Sequence, residues 1–198
     1  MKKTKSNTIF KFAGSQFSDP FQMIATLFDS ASPHYYKSFV KEVILYSSLN
    51  NAYYHKSTSS MLFLRQNIKQ FIKLAYAVYK AGYKSPLKID DRELFDTRFY
   101  VASTQKQHSW LLRPLALTVA EYKNPYLVFK TVFEKENYKS LYAQFNALFE
   151  CACSNNPILE TQSNLLSTYF VLYKIIEACY LIDVREVLHI GGWLKLAP

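Results

Sequence analysis

Residues 57–82 read STSSMLFLRQNIKQFIKLAYAVYKAG. Ser57 and Thr58 carry short side-chain oxygens of the kind that cap a helix N-terminus, and Gly82 is the kind of residue that ends one. Between them Leu64, Phe71, Leu74, Ala75 and Val78 recur at helical spacing and define an apolar face. Arg65, Lys69, Lys73, Lys80 and Lys84 recur at the same period on another side. At about 100° per residue these five fall within an arc of roughly 100°. Tyr76 and Tyr83 lie in or beside that stripe. The stretch therefore predicts a long amphipathic helix whose core face is aliphatic and aromatic and whose wet face is positive.

The same punctuation recurs on both sides. Asp19-Pro20 and Ser32-Pro33 each place a capping residue before a proline at the first helical position, which predicts helices over about 21–29 and 33–48. Tyr36, Phe39, Val40, Val43 and Ile44 repeat every three to four residues in the second. Downstream, a helix interrupted by Pro125 resumes to about Phe133. A segment over about 137–153 aligns Leu141, Phe145, Leu148, Phe149 and Ala152. The turn cluster Asn155-Asn156-Pro157 precedes a helix over about 159–182. Asp183 is placed to cap a last short helix over 184–190, which Gly191-Gly192 would end. The fold class expected is all-α, an irregular bundle of six to eight helices over 20–198. Residues 1–19 read as a flexible basic arm in which Phe10, Phe12 and Phe17 could anchor an extended segment. Residues 84–114, broken by Pro86, Asp90-Asp91 and Pro114, form a possible subdomain seam. Within it Leu94 to Tyr100 suits a short helix, with a minor strand over 94–103 as the alternative.

Composition agrees with this class. Hydrophobic residues make up 49% of the 198, enough to bury a core, and only 4 are Gly, too few for the many tight turns of an all-β fold. The 16 Tyr and 15 Phe are read chiefly as core material. Cys151, Cys153 and Cys179 have no disulfide-framework spacing, which suits a reducing compartment. No apolar h-region follows the basic first residues. The most apolar stretch, Leu165 to Ile182, is broken by Lys174 and Glu177, so a cytoplasmic protein without an integral membrane span is expected.

Charge is unevenly distributed. Residues 1–90 hold 13 Lys and Arg against 4 acids and account for the whole net charge of +9, while 91–198 hold 11 of each sign. No Asp or Glu occurs from Ile44 to Ile89. A purely positive face can meet an acidic protein segment, nucleic acid or an anionic membrane surface. Between Lys56 and Lys88 Lys outnumbers Arg 6 to 1. Bidentate phosphate and base recognition favour Arg, so sequence-specific DNA binding is disfavoured.

Chemical motifs are sparse. Cys151-x-Cys153 is too tight for a zinc half-site, and on a helix its sulfurs would point about 200° apart. Glu186-x-x-His189 has di-iron spacing but no second copy. Arg185 and His189, at i and i+4, resemble the Arg-and-His helix motif of small helical ribonucleases, with a shorter gap. That likeness implies RNA cleavage by this pair, as a third and weakest reading. His34, His55 and His108 stand in no metal spacing, and no phosphate cradle or nucleophile elbow is present. The reading that emerges needs no cofactor, metal or catalytic residue. It is a non-enzymatic helical adaptor, chaperone-like or scaffold subunit, binding an acidic or amphipathic protein segment through Arg65, Lys69, Lys73, Tyr76, Lys80, Tyr83 and Lys84. Non-specific nucleic-acid binding is the alternative.

Overall fold

The computed structural model describes residues 10–12, 15–17, 19–49, 52–53, 56–83, 85, 87–94, 96–101, 112–155, 158, 162–187, 189–190 and 193–194. Seven α-helices lie among them: α1 (Pro20–Ser30), α2 (Pro33–Ser47), α3 (Thr58–Ala81), α4 (Val119–Lys123), α5 (Tyr126–Lys135), α6 (Tyr138–Ala152) and α7 (Gln162–Glu186). The protein is thus an all-α bundle. Three of the caps read from sequence act as expected. Asp19 Oδ1 accepts the Phe21 N–H at 3.0 Å, and Ser32 Oγ accepts that of Tyr35 at 3.2 Å. Ser57 Oγ accepts the Ser60 N–H at 3.3 Å. At the other end of α3, Gly82 takes the left-handed conformation with φ 69°, which lets its N–H reach the Tyr79 carbonyl.

α7 is the hub. It packs against α1, α2, α3, α5 and α6, while α6 lies across both α2 and α3. By length and composition Leu165–Glu186 could cross a membrane, and 61% of its apolar window is buried inside the bundle. Tyr36, Phe39, Phe71, Phe129 and Phe145 are among the largest fully buried side chains, so much of the aromatic wealth is core. Tyr36 ties three helices together. Its hydroxyl donates to the Leu27 carbonyl at 2.7 Å, receives the Asn67 amide at 3.0 Å, and its ring meets Phe71 edge-on at 5.0 Å. Burial pushes its phenol up to about 12.

In the N-terminal arm the extended segment expected around Phe10, Phe12 and Phe17 is present as a ribbon: Phe10–Phe12 (β1) pairs antiparallel with Ser15–Phe17 (β2), Phe10 opposite Phe17, and both strands lie against α1. Residues 1–9 lie outside the described set. Two segments depart from the sequence reading. The expected last helix over 184–190 does not form. α7 runs through Asp183 to Glu186, and His189–Ile190 (β3) pairs with Trp193–Leu194 (β4). Asp183 is 3% exposed in the helix interior, where it cannot adopt the extended backbone of an N-cap. In the seam, described residues of 94–103 form no strand. Thr97–Phe99 is a 3-10 turn because Asp96 accepts the Arg98 N–H at 2.9 Å, a turn geometry incompatible with a ladder. A second 3-10 turn, Asp91–Glu93, carries a full capping box from Asp90 and Glu93.

Candidate partner-binding face

The stripe read from α3 is real as a helical register but not as a uniformly wet face. α3 runs antiparallel to α6, and its N-terminal half is covered by that helix. Arg65 Nη2 donates to Asn146 Oδ1 at 3.1 Å and Glu150 Oε1 at 3.3 Å, with its guanidinium 4.8 Å from the Phe149 ring centre. Lys69 holds its ammonium 4.6 Å from the centre of the Tyr142 ring. These two cations staple α3 to α6 through a carboxylate and two ring faces. The acid-free stretch is also less bare in space than along the chain. Glu42 reaches Lys56 at 2.7 Å, just as Glu150 reaches Arg65.

The C-terminal half of α3 is different. Lys73 is half-buried, and Lys80 is exposed. Tyr76 stacks on Tyr138 at 4.8 Å and 18°, and Phe133 meets Tyr76 edge-on at 5.3 Å. Tyr79 lies 5.8 Å from Phe133. Around these rings α3, the end of α5 and the start of α6 frame an open cleft of about 380 Å³, lined also by Lys80 and residues 134–137. Two of its acids, Glu134 and Glu136, lie on the α5–α6 side. Burial holds the Glu136 carboxyl above its usual range despite a hydrogen bond from Gln144. Glu134 stands 4.0 Å from Lys130. The cleft is therefore lined by aromatic rings, with Lys80 on the α3 side and the mixed charges of Glu134, Lys135 and Glu136 on the other.

Tyr83 stands just past α3, 45% exposed, with its ring edge-on to Phe21 at 4.9 Å, and belongs to the α1 side rather than to the cleft. Lys84 lies outside the described residues. Of the seven residues expected to bind, Tyr76 and Lys80 line the cleft, while Arg65 and Lys69 serve the fold. Tyr79, Phe133 and Tyr138 are the ones sequence reasoning missed. Phe133 belongs to a segment read only as a helix and Tyr138 to one read for its core face, and no local pattern ties either to α3.

The charged groups buried along α7 have structural partners. The two residues that interrupt the apolar run of α7 are both paired. Lys37 Nζ meets Glu177 Oε1 at 2.8 Å with both side chains buried, and Glu177 also accepts the N–H groups of Leu115 and Ala116 at 2.8–3.1 Å. Lys174 meets Glu121 at 2.8 Å. Burial alone would raise the Glu121 carboxyl, but the Lys174 ammonium and the Thr118 cap reverse this and hold it below its usual range.

The ribonuclease-like spacing is not realised. Arg185 ends α7 and donates to the Phe99 carbonyl at 2.8 Å and the Tyr122 carbonyl at 2.6 Å, whereas His189 belongs to β3. The two do not share a helix face, and the Glu186–His189 spacing fails for the same reason. Among the described residues no group of three His, Cys, Asp or Glu could hold a metal ion. Cys179 is buried, and its thiol is pushed up by burial and by Asp183, away from the thiolate form a nucleophile needs. The chain matches no family model, and comparison with curated proteins and with solved structures brings out no similar protein.

Proposed function

We propose that this protein is a non-enzymatic adaptor or scaffold subunit whose partner is an amphipathic protein segment bearing acidic residues. The segment seats an apolar or aromatic side chain on the Tyr76, Tyr79, Phe133 and Tyr138 rings and turns its acidic side toward Lys80 and the α3 rim. The observation that carries this reading is the convergence of four aromatic rings beside an exposed lysine in an open cleft. Aromatic floors with a charged rim are the usual make-up of protein recognition sites, the rings supplying contact area and the rim charges steering and register. Glu134 and Glu136 narrow the partner: a uniformly acidic segment would meet repulsion on the α5–α6 side, so an amphipathic one fits better than a polyacidic one.

The test is capture of partners from a lysate of the source organism by the wild-type chain and by a Lys80→Glu variant. The reversal should weaken the specific partner by about 10-fold and lessen the salt dependence of its capture. Capture unchanged by the variant defeats the reading. So does nucleic acid that co-purifies at low salt and leaves on a salt gradient, which would identify phosphate as the ligand of the lysines.

A further inference from the structure

α7 ends on two adjacent charged residues that hold four pieces of chain. Arg185 Nε donates to the Phe99 carbonyl at 2.8 Å, and its Nη1 donates to the Tyr122 carbonyl at 2.6 Å. Glu186 accepts the Ser85 hydroxyl at 3.3 Å and the Tyr126 hydroxyl. Tyr122 and Tyr126 belong to α4 and α5. Ser85 and Phe99 stand near the two ends of one seam segment, residues 85, 87–94 and 96–101. That segment is bound to itself more than to the bundle. Glu93 donates to Asp90, Asp96 to Glu93, Phe99 to Asp96, and Tyr100 and Val101 to Thr97. Among the described residues no backbone–backbone hydrogen bond ties it to a helix. Of its described residues only Ile89, Tyr100 and Val101 are buried, whereas ten of the 24 residues of α3 are. Its ion pair to α4, Asp91 with Lys123 at 2.7 Å, leaves the aspartate 78% exposed, and surface pairs of this kind contribute little.

We infer that this segment is a latched strap, which comes off the bundle as a unit while the helices stay folded, and that Arg185 is its latch. Segments with few buried side chains and no backbone bonds to their surroundings open at lower free energy than the whole fold. The strap is therefore held by three apolar side chains and by the end of α7. The latch itself is poised for release. Its guanidinium rests 4.5 Å from the centre of the Tyr122 ring, and burial pulls it below the usual range. The acids beside it are engaged elsewhere, Asp96 by Arg98 at 2.6 Å and Glu186 by its two hydroxyls. A buried cation matched by carbonyl dipoles and a ring face alone bears a desolvation cost that no carboxylate offsets. Opening lets water reach it and so compensates in part for the lost Phe99 bond. The open form presents the Ile89, Tyr100 and Val101 side chains, which the closed form buries.

The experiment is native hydrogen exchange of the full chain, followed amide by amide by nuclear magnetic resonance along a low-urea series. In the wild type the Phe99, Tyr100 and Val101 amides should exchange faster than those of α3. Their urea dependence should also be shallower, because a local opening exposes less surface than unfolding does. Two variants then separate the latch from the bundle. Arg185→Lys keeps the charge but lacks the planar fork, and should speed strap exchange at least ~10-fold, the effect of losing one hydrogen bond from a charged donor. Arg65→Lys weakens the contact between α3 and α6, which the open strap leaves intact. It should speed α3 exchange and leave strap exchange unchanged. Strap amides that share the urea dependence of α3 overturn the inference, and that result needs no variant. Strap exchange indifferent to Arg185→Lys overturns it too, as does strap exchange that Arg65→Lys speeds as much as that of α3.

Discussion

Single residues hold this bundle together where helices alone would leave charge unmatched. Lys37 and Glu177 are the sharpest case, an ion pair with side chains 8% and 2% exposed. Removing one member of such a pair strands the other in the core, so Lys37→Met should destabilise the fold by ~3 kcal/mol in urea unfolding, and Lys37→Met combined with Glu177→Gln by clearly less. Equal losses for the single and double variants would show that Glu177 is satisfied by the Leu115 and Ala116 amides without its lysine. Arg65 makes a planar, multi-partner contact that Lys cannot copy. Arg65→Lys should cost ~1 kcal/mol of stability and leave partner capture intact, which separates it from Lys80. Glu186 has the opposite character. Burial lifts its carboxyl above the usual range, and the hydrogen bonds it accepts from Tyr126 and Ser85 only partly offset this. A raised folded pKa favours the protonated form, so its contribution is present below the unfolded carboxylate value and is lost as pH rises through the folded one. Glu186→Gln should therefore raise the melting temperature near neutral pH relative to acid. A uniform shift at all pH values would contradict the assignment.

At the level of elements, short ones are held in place by long ones. α4 spans only Val119–Lys123 and would not persist alone. Thr118 and Glu121 form a capping box, and the same Glu121 reaches Lys174 on α7. Its carboxyl titrates below the usual range, so the stabilisation it supplies is present above the unfolded carboxylate value and is lost as pH falls through the folded one. Glu121→Gln should flatten the acid limb of the stability profile, as read by circular dichroism across an acid titration. α3 ends on Gly82 at φ 69°, with open space where a Cβ would go. Gly82→Ala should then cost ~1 kcal/mol from backbone strain alone, with no packing penalty, in chemical denaturation. The caps of α1, α2 and α3 were legible because Asp19, Ser32 and Ser57 act on amides two or three residues away. The end of α7 was not. Asp183 has the residue type of a cap, but its burial and the grip of Arg185 on the Phe99 and Tyr122 carbonyls depend on chain 60 to 90 residues distant.

Over the whole molecule, sequence patterns were sufficient for the class of fold and for the core faces of α2, α3 and α6. Periodicity and capping are local properties, carried by residues within one or two turns of each other. They also located the positive register of α3. Whether that register meets water was beyond them. Arg65 and Lys69 look the same along the chain as Lys80, and only the antiparallel approach of α6 turns the first two into staples and leaves the third on the rim of an aromatic cleft. The same holds for the acids. A stretch with no carboxylate in 46 consecutive positions, 44–89, is nevertheless served by Glu42 and Glu150 from neighbouring helices. Charge pairing between distant segments is a matter of packing, and packing is not written at helical period. What the sequence by itself determined is therefore a set of amphipathic helices with known faces. What only the tertiary structure decided is which charges are spent on the fold, because that depends on which helix lies across which.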